Sequence, residues 1–203
     1  MTTPRNGATM TIRHHHFLRL SALALGLAPL AAGAVEYTQV LPEKSAVAFT
    51  YRQMNVPVEG AFKRFKGQLS FDPARPAGAH AELEIDMAGV DAGSAEANEE
   101  VAGKLWFNTK AFPSARFVST GIQPLGKDRY EVTGRMTIKG RTVDAKAPAS
   151  FRQDGKNAVF EGAFVLKRAD YGIGEGMWAD FGTVANEVQI KFRLVAAPAP
   201  DRK

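Results

Sequence analysis

The chain has 203 residues, no cysteine and a formal net charge of +5. That length fits one domain with an appendage, and the missing thiols exclude disulfides, zinc ribbons, iron–sulfur clusters and thiol nucleophiles. Apolar residues at 45% and charged residues at 23% describe an ordinary globular chain, and 19 glycines with 11 prolines favour turns and short strands over long helices.

Residues 10–34 open on a basic stretch from Arg13 to Arg19 and run apolar from Leu20 to about Ala32. They end on Ala32-Gly33-Ala34, small residues at the positions a signal peptidase reads. This pattern predicts a secretory signal peptide over residues 1–34, cleaved after Ala34, and hence a periplasmic protein. The run is shorter than the ~20 apolar residues that span a bilayer, and Pro29 interrupts it. Met10 serves as well as Met1 for a start. The leader holds Arg5, Arg13 and Arg19 and no acid, so the remainder has 23 basic and 21 acidic residues, a net of +2. A body so nearly neutral has no electrostatic footprint for nucleic acid. His14, His15 and His16 leave with the leader, and the one remaining histidine, His80, cannot build a multi-histidine metal site.

Period-two alternation then recurs along the chain. Val47, Phe49 and Tyr51 share one face, and so do Phe65, Gly67, Leu69 and Phe71. Leu83, Ile85 and Met87 follow, after a loop over 72–78 rich in Pro and Gly. Ser94 to Lys104 breaks the rhythm with helix formers behind a Ser N-cap, and Trp106 and Phe107 begin an aromatic loop. Strands resume with Tyr130 to Ile138 after the turn at Pro124–Asp128. Lys139-Gly140 and Asp154–Asn157 mark two further hairpins. Phe160 to Leu166 and Val188 to Leu194 complete a set of about eight half-buried antiparallel strands.

Closing eight such strands removes both sheet edges, so the predicted fold is all-β: an eight-stranded antiparallel up-and-down barrel over 35–196, with a short helix and an aromatic loop. The tail 197–203 reads as disordered. A β-sandwich is the alternative architecture. An eight-stranded barrel can hold one small ligand, and small inward residues such as Gly67, Gly134 and Gly162 are expected to leave room along the axis. Phe49, Tyr51, Phe71, Phe117, Phe164 and Phe192 converge inward, and Trp106, Phe107, Trp178 and Phe181 fall in loops at a mouth. Together they point to an apolar cavity.

Candidates for catalysis are sparse. His80 stands at a strand start with no G-x-S-x-G elbow in the chain. Glu82/Glu84 and Glu99/Glu100 lie on solvated faces rather than across a cleft. Gly172-Ile173-Gly174-Glu175-Gly176 lacks the lysine of a phosphate loop and reads as a flexible rim loop. Lys63, Arg64 and Lys66 read as solvated strand charges, with an anionic head group as the alternative contact.

Ordered motifs carry a resemblance across about Glu36 to Ala196. They are Ser45–Phe49, Val58–Phe62, Phe65–Asp72, Trp106–Asn108, Phe112–Ser119, Gly134–Gly140, Arg168–Ile173 and Asn186–Val188. In this order and spacing the chain resembles the YceI-like family of periplasmic, lipocalin-like proteins. The resemblance implies a tunnel that holds a long isoprenoid, of quinone or polyprenyl type, with no cofactor beyond that ligand. The expected ligand-binding residues are Phe49, Tyr51, Leu69, Phe71, Leu83, Ile85, Phe117, Met136, Ile138, Phe164 and Leu166, with Trp106, Phe107, Trp178 and Phe181 shaping the mouth. Many members have a histidine where this chain has Gln53, which can hydrogen-bond a head group but cannot titrate. The implied partners are the lipid and, transiently, a membrane or a membrane quinone enzyme. An apolar rim leaves a homodimer open. Two other readings stand beside this one. One is a hydrolase or isomerase acting in the same cavity. The other is an outer-membrane barrel, which the polar Pro/Ala tail argues against.

Overall fold

The computed structural model describes residues 35–200. The expected signal peptide and its cleavage site lie outside them. The strands are β1 (Tyr37–Val40), β2 (Ala46–Gln53), β3 (Val56–Phe62), β4 (Phe65–Phe71), β5 (His80–Asp86), β6 (Val90–Asp91), β7 (Ser114–Gly126), β8 (Arg129–Ile138), β9 (Arg141–Asp154), β10 (Asn157–Lys167) and β11 (Glu187–Pro198). One helix, α1 (Ala95–Ala102), stands between β6 and β7. Ser94 caps it, accepting the Ala97 N–H through Oγ, as the sequence predicted.

Six of the segments are three broken strands. β1 and β2 run in line along β11: Val40 pairs with Ala196 and Ala46 with Arg193. A 3-10 turn over Pro42–Lys44 separates them, where proline has no N–H for a ladder. β4 and β3 follow β1 and β2, and β5 and β6 follow β4 and β3. Backbone bonds from Lys63 N to Gly89 O (2.9 Å) and from Asp86 N to Arg64 O (3.0 Å) carry the pairing across the breaks. Counted this way the sheet is an eight-stranded, antiparallel, up-and-down barrel, closed where β11 meets β1.

Three of the hairpin turns place two consecutive residues in the left-handed region: Met54-Asn55, Lys127-Asp128 and Lys139-Gly140. That turn matches the right-handed twist of the strands it joins. The turns also fix which end is which. The 72–79 loop, the Lys127-Asp128 turn, and Tyr37 and Pro198 at the outer ends of β1 and β11 gather at one end. The Met54-Asn55 and Lys139-Gly140 turns, α1 and the 168–186 segment gather at the other.

The first end is plugged. Tyr37, Phe71, Ile122 and Tyr130 are buried there, packed with Phe151 and Phe160. The Phe71 ring meets Phe160 edge-on at 5.0 Å and Tyr130 at 5.4 Å. The last strand also runs to Pro198, past the expected barrel end at Ala196. Ala197 and Pro198 belong to the sheet rather than to a disordered tail, because β1 gives them partners: Gln39 pairs with Ala197 and Tyr37 with Pro198.

The expectation that inward glycines leave room is corrected. A Cβ on Gly134 would lie 2.5 Å from the Phe117 ring, and one on Gly162 would lie 2.5 Å from the Phe192 ring. One on Gly67 would lie 2.8 Å from the Val40 side chain. Neighbouring side chains fold across these glycines and fill the space that the missing Cβ atoms vacate.

Candidate functional site

Two adjoining chambers run along the barrel axis. The deep chamber holds about 160 Å³ above the aromatic plug. Leu69, Phe71, Leu83, Ile85, Phe117, Met136 and Phe164 line it, all predicted from their strand faces. Its room comes from alanines, with Ala81, Ala115, Ala145, Ala147 and Ala149 among the lining residues. Three of these lie on β9, whose ladder with β10 ends at the Ala149–Gly162 pair. The next residue, Pro148, has no N–H to continue it.

The outer chamber holds about 450 Å³. Phe49, Tyr51, Gln53, Trp106 and Trp178 line it, again as expected. Phe62, Phe107, Ile138, Leu166 and Ile190 line both chambers. Polar groups appear here: Ser94 at the α1 N-cap, Glu96 and Glu100 from α1, with Gln53 and Arg168. The Trp178 indole Nε1 donates to Glu100 Oε1 at 2.7 Å, linking the rim segment to the helix across this chamber. Tyr51 donates its hydroxyl to Ala92 O at 3.1 Å. Burial raises its pKa and keeps the phenol neutral. Only Phe181 departs from the expected lining. It is 50% exposed and lies over the Arg168 guanidinium at 5.2 Å.

Arg168 is the residue that sequence reasoning gave no role. It is only 2% exposed. Its Nε donates to Ala185 O, one Nη to Ile173 O and Gly174 O, and the other to Trp178 O and Val184 O, at 2.7–3.1 Å. Trp106 makes the same kind of contact as Phe181, its ring centroid 5.7 Å from the guanidinium carbon. Desolvation lowers its pKa from a starting point so high that the charge stays. The glycine run is therefore no loose loop. Ile173 and Gly174 are buried around the guanidinium, and a Cβ on Gly174 would collide with the Arg168 Nη1. That run of glycines beside an arginine was the one trace of this arrangement in the sequence. Lys139 fastens the same segment, donating to Gly172 O (2.6 Å) and Glu175 Oε2 (2.9 Å).

Of the remaining candidates, Glu82 lines the deep chamber and the others fall outside both. Lys63, Arg64 and Lys66 pair with Asp91, Asp86 and Glu84 at 2.7–3.2 Å. Glu82 pairs with Arg116 at 2.7 Å. His80 Nδ1 stands 3.3 Å from Ser119 Oγ, but that hydroxyl already accepts the Ala81 N–H at 2.8 Å. Among the described residues no cluster of His, Asp and Glu could hold a metal ion.

Comparison with known proteins places this architecture. A family model described as a YceI-like domain matches residues 39–196. A UPF0312 protein of Azotobacter vinelandii is 32% identical over 182 residues, covering 84% of this chain and 93% of the relative. The crystal structure of Burkholderia cenocepacia BcnA superposes with a TM-score of 0.76 at 46% identity, covering 78% of this chain and 99% of that one. A polyisoprenoid-binding domain from Saccharophagus degradans, implicated in plant cell wall breakdown, has the same fold. Its TM-score is 0.64 at 18% identity, over 81% of this chain and 99% of that domain.

Proposed function

The chain belongs to the YceI-like family, and we propose that it binds, stores or carries a long isoprenoid lipid of quinone or polyprenyl type in the periplasm. The observation that carries this reading is the pair of adjoining chambers, apolar and blind at the deep end, with polar groups in the outer one. The fold shared with a polyisoprenoid-binding domain supports it. An isoprene unit gains about 4 kcal/mol gross on leaving water, at ~0.8 kcal/mol per buried carbon. Association costs about 4–15 kcal/mol, so a few buried units are needed before binding becomes useful. The tail occupies the deep chamber, and the head group meets Gln53, Ser94 and the α1 carboxylates. Cargo is taken from and returned to a membrane. The protein holds the lipid without turning it over.

Extraction of the protein purified from its native host, followed by mass spectrometry, tests this directly. The expected result is about one isoprenoid per chain. Affinity for polyprenols should then rise with chain length until the tunnel is full, and Ala147→Phe should lower the length at which it levels off. An extract without isoprenoid, together with no dependence on chain length, refutes the reading.

A further inference from the structure

The mouth end of the barrel carries apolar side chains that neither the core nor the tunnel uses. Met54 is 75% exposed, Val56 61% and Met177 79%, beside the half-exposed Phe181. They stand on two segments that the backbone holds together. Met54 N–H donates to Thr183 O at 2.8 Å, Ala185 N–H donates to Arg52 O at 2.9 Å, and Gln53 bridges to Val184. The β2–β3 turn and the rim segment thus form one surface. It adjoins the tunnel directly, since Gln53 precedes Met54, Trp178 follows Met177, and both line the outer chamber.

The other hairpins provide a comparison within the molecule. The equivalent left-handed turns hold Lys127-Asp128 and Lys139-Gly140, polar residues and glycine that suit a solvated turn. Of the three, only the Met54-Asn55 turn puts a methionine there, at φ 49°, a conformation that a side chain such as this rarely adopts. Burial does not explain it, because the side chain is out in solvent. Nearby charges turn inward to the backbone. Arg52 donates to Asn55 O at 3.0 Å, and Asp180 accepts from Gly182 N–H (2.9 Å) and the Thr183 hydroxyl (3.1 Å).

We propose that this tip is a bilayer-docking surface. Met54, Val56 and Met177 enter the boundary between head groups and acyl chains and set the tunnel mouth against lipid. The inference rests on the carrier reading, in which cargo leaves a bilayer for the tunnel without crossing water. Four side chains on a turn and a loop fall well short of the ~800 Å² per partner of a stable protein interface, whereas shallow insertion needs only such a tip. The nearby charges on the two segments, Arg52 and Asp180, are of opposite sign, so binding should respond little to salt or to anionic lipid.

The test is cosedimentation with phosphatidylcholine vesicles, using protein expressed from the full-length sequence and purified without detergent. The N-terminus is read by mass spectrometry, because the apolar stretch from Leu20 would itself bind lipid. The variant M54N/M177S removes apolar surface, and asparagine accepts the left-handed conformation, so its melting temperature should hold. Wild type should partition onto vesicles and the variant about tenfold or more weakly. A fluorescent polyprenyl analogue delivered from ethanol should bind both equally. No partitioning by wild type, or equal partitioning by the variant, overturns the proposal. So does a concentration-dependent dimer that the same substitutions abolish, which would assign the tip to a second copy. A wild type that partitions but takes up no analogue of any length upholds the docking surface and overturns the carrier reading.

Discussion

Arg168→Leu should release the rim of the barrel. The guanidinium gives every one of its donors to a backbone carbonyl, and those carbonyls belong to Ile173, Gly174, Trp178, Val184 and Ala185. Leucine keeps the bulk and offers no donor. A buried acceptor left without a partner costs about 1–3 kcal/mol. Water reaching the outermost carbonyls would reduce that cost, leaving a loss of about 3–5 kcal/mol in all. This is a large share of the roughly 5–15 kcal/mol that holds a domain together. At about 2–4 °C per kcal/mol for a chain of this size, the melting temperature should fall by roughly 6–20 °C. Arg168→Lys should recover only part of it, because one ammonium cannot reach carbonyls spread along three stretches of chain. Circular dichroism melts measure the global loss, and amide exchange over 168–186 shows whether the rim opens first. A leucine variant within about 1 kcal/mol of wild type, with unchanged exchange over the rim, would show that packing and not Arg168 holds this segment.

Further predictions concern the core and the rim. Gly134→Ala should destabilise the barrel by about 1–3 kcal/mol, because the new methyl would meet both the Phe117 ring and the Val118 carbonyl oxygen at 2.5 Å. Chemical denaturation measures it, and a neutral result would mean that Phe117 moves aside freely. Tyr171 gives a pH dependence of known sign. Burial pushes its hydroxyl up to about 12 from 10.0, with Asp170 adding to the shift. The folded state holds that proton more tightly than the unfolded one, so the contribution is complete below pH 10 and is lost as pH rises towards 12. Melts across that range should show the decline, and Tyr171→Phe should lessen it. An equal decline in the variant would place the alkaline sensitivity elsewhere.

Much of this molecule is written locally in its sequence. Alternation gave the strands their direction, since successive side chains must point to opposite faces. It therefore separated Phe49, Leu83 and Phe164 from their wet neighbours before any contact was known. Ser94 and the Lys139-Gly140 turn act within a few residues of themselves, and they sit where the sequence placed them. Direction is not depth, however. Whether an inward glycine faces a void or an aromatic ring depends on a strand far away in the chain, and Phe117 and Phe192 closed the gaps expected at Gly134 and Gly162. The free volume arose instead beside the alanines of β9, where several strands decide together how much space remains. Arg168 is the extreme case. No residue pattern beyond the neighbouring glycine run marks this arginine for burial, because the five carbonyls that make it tolerable lie 5 to 17 residues downstream and converge only when the rim has folded around it. The same convergence turned Phe181 from a cavity residue into a cover over that charge.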